Sequence, residues 1–298
     1  MPRICANGVS LEYVWHGDPR HPVVLGIVGF CDQLTAWPAP LVEAILASGR
    51  SMLVFDSRDM GLSTHFTEAG HPDPVAVLGG RATYHLPYTL ADMADDAISL
   101  LNGLGIAKAH VMGYSMGGAV AQIATIRGTG LFLSATAIFS TSYAPGLPAR
   151  DEAVRAKALR CCAHGLDKPG WIDAMAALMQ AVEGRAHGFG ASRRGLAQAS
   201  ADRAFDPAGI ARHVLAIAEY GKAPLLAELS RLALPFLVLQ SDDDPLFNPR
   251  HGDDLHARVP GARLQRIEGA GHALCDSVAP ILADAIINHL NRAEGKAP

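Results

Sequence analysis

The segment "HVMGYSMGG" (residues 110–118) joins a short apolar run to a stretch of helical period, with Ser115 at the junction between glycines. A strand that turns abruptly into a helix forces its central residue into a strained, positive-φ geometry. Glycine on either side removes the Cβ atoms that would collide across such a turn. The turn lifts the Ser115 hydroxyl to the carboxyl end of the strand, where open α/β sheets bind their ligands. The helix that starts at Met116 aims free N–H groups and its positive dipole end at the same point. A serine that only caps a helix is the competing reading; the preceding strand and the second glycine pair, Gly117-Gly118, favour the sharp turn.

A lone serine hydroxyl is a poor nucleophile, so this reading requires a histidine base and a carboxylate further along the chain. Residues 235–240 form an apolar run that leads into Ser241-Asp242-Asp243-Asp244-Pro245, and residues 263–267 lead into Glu268-Gly269-Ala270-Gly271-His272-Ala273. Of the thirteen histidines, His272 alone follows a late strand, sits among glycines and precedes the final helix. Asp244 is the chosen carboxylate because, just before Pro245, it lies farthest into its loop. Asp242 and Asp243 suit turn capping or bonds to backbone amides. An oxyanion needs two preorganised donors. The Met116 N–H supplies one, and the loop after the strand at 23–30 supplies the other through Phe30, with its neighbour Cys31 as the substitute.

Short β-branched runs at 23–30, 51–55, 110–113, 134–139, 235–240 and 263–267 alternate with helical periods at 38–47, 89–104, 116–127 and 278–291. That alternation predicts βα units around a parallel sheet, an α/β fold. Residues 4–5 and 11–14 predict an antiparallel hairpin about Asn7-Gly8. Residues 142–229 break the pattern with helical periods at 153–162, 171–182, 193–201 and 209–220, and so read as a helical cap inserted between core segments 1–141 and 230–298. The polar tail 293–298 is expected to fray.

The chain has 298 residues, 49% hydrophobic and 18% charged, with a formal net charge of −4. No basic surplus is available for a nucleic acid or an anionic membrane. The first residues lack a secretory h-region and no apolar run spans a bilayer, so a cytoplasmic location is expected. Five cysteines without C-x-x-C spacing predict free thiols, with Cys31, Cys161, Cys162 and Cys275 as packing residues. No cluster has metal-ligand spacing and no G-x-G-x-x-G follows a strand, so neither a metal nor a cofactor is expected.

The stretches "GFCDQLTAWP", "FDSRDMGLST", "YTLADMADDAISLLNGLGIAKAHVMGYSMGG", "LVLQSDDDPLFNP" and "IEGAGHAL" occur in the order found in α/β-hydrolase fold proteins of the serine type, which this chain resembles over about two thirds of its length. The resemblance implies Ser115, Asp244 and His272 as triad and the Phe30 and Met116 amides as oxyanion hole. Within the family the wording is similar to the aclacinomycin methylesterase subgroup, which cleaves a methyl ester on a polyketide. Many members carry His-Gly before the oxyanion residue; this chain has Val28-Gly29-Phe30, whose backbone donor survives while the Phe30 side chain narrows the pocket.

Cys31, Trp171, Met175 and Met179 are candidate pocket residues; Trp171, Met175, Met179 and Val182 recur at a helical spacing that serves core packing and pocket lining equally well. Asp56, Arg58 and Asp59 read as an internally paired turn, with substrate contact as the alternative. The expected activity is hydrolysis of a small apolar carboxylic ester through an acyl-enzyme, with a methyl ester of an aromatic or polycyclic acid as the finer expectation. A lactonase or a carbon–carbon bond hydrolase would use the same triad, and a receptor-like protein could retain it with little turnover. A homodimer is left open.

Overall fold

A computed structural model describes residues 2–296. Its sheet comprises β1 (Arg3–Ala6), β2 (Val9–His16), β3 (Val23–Ile27), β4 (Ser51–Phe55), β5 (Ala109–Tyr114), β6 (Phe132–Ile138), β7 (Phe236–Ser241) and β8 (Arg263–Ile267). The strand order is β1-β2-β4-β3-β5-β6-β7-β8, with β1–β2 and β2–β4 antiparallel and every later pair parallel. The expected hairpin turns at Asn7 and Gly8, both at positive φ as the tight two-residue connection demands.

Every residue of β3, β4 and β5 is buried, which follows from helices lying on both faces. The helices outside the insertion begin with α1 (Ala39–Ala47), α2 (Pro74–Leu78), α3 (Leu90–Gly103) and α4 (Met116–Arg127). Leu25, Ile27, Val111 and Val238 point to the core shared with α3 and α4, while their neighbours Val24, Met112 and Leu239 point to the opposite core.

Between β6 and β7 lie α5 (Glu152–Arg160), α6 (Lys168–Val182), α7 (Arg193–Arg203), α8 (Pro207–Lys222) and α9 (Leu226–Leu229), with no strand among the described residues. The side chains of Asp151, Asp167, Ser192 and Asp206 accept the third-residue N–H of α5, α6, α7 and α8 in turn, so local capping chemistry sets all four helix starts. The chain closes with α10 (Pro249–Arg258) and α11 (Ala279–Ala293), the latter packed with α1 under the second core.

Several expectations need correction. The strand expected at 23–30 ends at Ile27, because residues 28–30 must leave the sheet to pass over its end. The space a Gly29 Cβ would fill is taken by the Tyr114 ring and the Asp32 carboxylate, at 2.9 and 3.0 Å. Strand β7 begins at Phe236, since Pro235 has no N–H to give. Helix α10 was not expected: His251, Gly252 and Leu255 are its buried residues, too polar a set to register as an apolar face. The tail does not fray at Glu294, whose carboxylate accepts Arg50 Nε at 2.8 Å and lies 3.1 Å from His110 Nε2. Residues 297 and 298 lie outside the described residues.

Candidate active site

The β5–α4 junction has the anticipated strain: Ser115 sits at φ 55° and ψ −119°. The glycines around it are required by contact. A Cβ on Gly113 would come within 2.0 Å of Gly117 O, and one on Gly117 within 2.2 Å of Ile27 O. The turn is tied on both sides, by Ser115 N–H to Ile138 O at 2.9 Å and by Ser140 Oγ to Ser115 O at 2.8 Å.

Three loops at the carboxyl edge of the sheet bring their side chains together here. Ser115 Oγ lies 2.8 Å from His272 Nε2, and His272 Nδ1 lies 2.7 Å from Asp244 Oδ2. All three are buried. The second oxygen of Asp244 accepts the N–H groups of Leu246 and Phe247, both at 2.8 Å, which orients the carboxylate and fixes the hydrogen on the imidazole at Nδ1. The other two aspartates serve the loop. Asp242 accepts Gly269 N–H at 2.8 Å, and Asp243 accepts Arg185 N–H at 3.1 Å.

Gly269 and Gly271 are at positive φ in the histidine loop, and His272 N–H donates to Val182 O at 2.7 Å. The Tyr114 hydroxyl donates to His272 O at 2.7 Å. Rings of Tyr114, Phe247 and Phe139 surround the imidazole at 5.3, 5.5 and 6.3 Å between centroids, so the base works in a largely dry enclosure.

The Ser115–His272 pair opens on a cavity of about 740 Å³ between the sheet edge and the insertion. Phe30 and Met116 line it beside Ser115, and the Met116 amide, first in its helix, has no carbonyl within α4 to bond. Cys31, Met175 and Met179 also line it. Burial and the neighbouring Cys161 and Cys162 push the Cys31 thiol well up, which keeps it inert. The five cysteines are free.

Trp171 is not on this wall. It is packed inside the insertion with its ring edge-on to Phe205 at 6.0 Å, the packing alternative that helical spacing could not exclude. Sequence reasoning missed Asp32, Tyr114 and Phe247, whereas Val182, weighed with Met175 and Met179, does line the cavity. Tyr114 alone carried a signal, as the side chain next to the serine on a buried strand.

Asp56, Arg58 and Asp59 are paired, though not with one another as expected. Arg58 binds Asp96 on α3 at 2.6 and 2.7 Å, Asp56 takes Arg203 on α7 at 2.7 Å, and Asp59 takes Arg212 on α8 at 2.7 and 2.8 Å. Two of the three bonds therefore fasten the insertion to the core. Asp59, His65 and Asp206 converge closely enough to suggest a cation site, but Arg212 already supplies the positive charge there. His65 bridges Asp206 and Gly61 O, and the Asp206 carboxylate raises its pKa.

Residues 13–285 match the alpha/beta hydrolase family. The chain belongs to that family. This hydrolase is 30% identical to the rhodomycin D methylesterase DnrP of Streptomyces peucetius, in an alignment covering 93% of each chain. It is 28% identical to the putative carbamate hydrolase RutD of Stutzerimonas stutzeri, over 94% of this chain and 96% of that one. Among solved structures, the enol-lactonase from Burkholderia xenovorans LB400 superposes on the hydrolase with a TM-score of 0.73 at 20% identity, covering 97% of this chain and 100% of the other. That last likeness is one of fold. No helix among the described residues of the hydrolase is long and apolar enough to cross a membrane.

Proposed function

We propose that this protein hydrolyses carboxylic esters, with Ser115, His272 and Asp244 as its triad. The observation that carries the reading is the unbroken chain of contacts from Ser115 Oγ to His272 Nε2 at 2.8 Å and from His272 Nδ1 to Asp244 Oδ2 at 2.7 Å, at the wall of a cavity. Ser115 Oγ attacks the ester carbonyl while His272 Nε2 takes its proton. The carbonyl oxygen becomes an oxyanion, held by the amides of Phe30 and Met116. As the tetrahedral intermediate collapses, the imidazolium gives its proton to the departing alkoxide, leaving an acyl group on Ser115. Water enters, loses a proton to His272 and releases the acid. Asp244 keeps the imidazole in the tautomer that accepts at Nε2 and stabilises its charged form.

The natural ester is proposed to be a methyl ester of an aromatic or polycyclic acid. Likeness to a rhodomycin D methylesterase supports this. So does a cavity of about 740 Å³ walled by Met175, Leu178, Met179, Val182, Ile217 and Phe247, which is ample for fused rings. The test is labelling with a fluorophosphonate and turnover of p-nitrophenyl and methyl aryl esters. An adduct at Ser115 and a kcat at least about a thousand-fold above that of Ser115→Ala are expected. Absence of both would leave a ligand-binding protein, and turnover of lactones or β-diketones in place of esters would reassign the reaction.

A further inference from the structure

The mechanism above has no use for one carboxyl group in the cavity. Asp32 follows the oxyanion loop by two residues and lines the same cavity as Ser115 and His272. The backbone is bent to place it there: Cys31, just before it, is at φ 66°. Gly29 makes room, since a Cβ on Gly29 would lie 3.0 Å from Asp32 Oδ2. Among the described residues no arginine or lysine pairs with this carboxyl, unlike Asp56 and Asp59 close by. The nearby Gly29 amide and the His272 imidazole are what favour its ionised form, and desolvation outweighs them, pushing it up to about 7.

A half-buried carboxyl without a cation is costly to the fold, and a cost of this kind at a cavity wall is characteristic of a binding group. We propose that Asp32 is a specificity residue that accepts a hydrogen bond from a hydroxyl on the substrate, so that the preferred esters are those of hydroxylated, otherwise apolar acids. An ammonium group is the less suited donor. On the same cavity Arg155 and Arg203 are paired with Glu152 and Asp56, whereas Arg150 lies over the Tyr143 and Phe247 rings at 5.9 and 5.2 Å with no carboxylate partner among the described residues, which leaves one uncompensated positive charge. That charge repels cations. A hydroxyl serves both states of the carboxyl, because it can donate to the anion and exchange roles with the acid.

The proposal rests on the ester-hydrolase reading, and its test separates the two. Methyl benzoate is compared with its 2-, 3- and 4-hydroxy derivatives and with methyl 4-(aminomethyl)benzoate in the wild type, Asp32→Leu and Asp32→Asn, with thermal melting as a check on folding. The wild type is expected to favour at least one hydroxybenzoate by about 10-fold or more in kcat/KM, as befits a hydrogen bond to a charged acceptor. The ratio should fall to about 2-fold or less in Asp32→Leu and recover in part in Asp32→Asn, which retains an acceptor oxygen. An equal fall for all esters with the ratio preserved would mark Asp32 as structural, and preference for the amine would overturn the donor class. Binding of the same esters to Ser115→Ala and to Ser115→Ala/Asp32→Leu reads the preference without turnover. If the wild type cleaves none of them while Ser115→Ala still prefers the hydroxylated ones, the hydrolase reading falls and the recognition site stands; no preference in either assay overturns the site.

Discussion

The Tyr114 hydroxyl donates to the main-chain carbonyl of His272 at 2.7 Å, so the residue before the serine holds the loop that carries the imidazole. The two sides of the proposed proton transfer are thereby fixed to each other through buried protein. Tyr114→Phe removes this link without touching a reacting group. It is expected to lower kcat by about 10-fold through misplacement of the imidazole, and to cost on the order of 1–2 kcal/mol by leaving a buried carbonyl unpaired. Ester kinetics together with urea unfolding check both; an unchanged kcat would show that the Val182 contact suffices to hold His272.

The strained turn makes a steric prediction. Gly113→Ala places a methyl group 2.0 Å from Gly117 O, and Gly117→Ala places one 2.2 Å from Ile27 O; neither neighbour is a flexible side chain. Each substitution should cost at least about 3 kcal/mol or prevent folding. Soluble yield and denaturant midpoints give the answer, with Gly130→Ala as a control: it meets no atoms but pays for its positive φ of 81°.

The bond between the insertion and the core should be strong only as a pair. Arg212 and Asp59 are both fully buried, and the Tyr88 hydroxyl also donates to Asp59 at 2.5 Å. Arg212→Met leaves an uncompensated carboxylate and is expected to cost about 3–5 kcal/mol. The double variant Arg212→Met/Asp59→Asn should recover part of that loss, which thermal melts of the four proteins of the cycle would measure.

Asp32 predicts an unusual pH dependence of stability. Its carboxyl is raised from 3.8 to about 7, so between those values the folded protein holds a proton that the unfolded chain has released. Stability contributed by this group is therefore complete below about pH 4 and declines as pH rises to about 7. Asp32→Asn removes the decline. The variant should be more stable than the wild type at pH 8 by on the order of 2 kcal/mol, less than the roughly 4 kcal/mol of the full displacement because the group is partly solvated, and the gap should close toward pH 4. Urea titrations at pH 4, 6 and 8 suffice; a gap independent of pH would show that the carboxyl stays ionised throughout. A gain in stability at the expense of substrate discrimination would match the usual opposition between the two.

What could be read in the sequence was whatever local chemistry dictates. The turn at Ser115 was legible because glycines 113 and 117 have no alternative there, and the starts of α5 to α8 carry Asp or Ser where a cap is needed. Asp244 could be singled out from its two neighbours because proline follows it. Relations set by long-range packing were not legible. Nothing in the spacing of Trp171, Met175 and Met179 says which face of α6 meets the cavity, and Glu294 looks like part of a polar tail until Arg50, 244 residues earlier in the chain, is found buried beside it. Asp32 was hidden for the same reason, since an aspartate in a loop announces neither its neighbours nor their absence.

The bridge between Glu183 and Gly271, reinforced by the bond from His272 N–H to Val182 O, joins the end of α6 to the loop bearing the imidazole. The insertion therefore cannot swing away as one rigid door without dragging the base off the serine. The α6 end serves as a fixed jamb, and any gape there would part the imidazole from Ser115 for as long as it lasted.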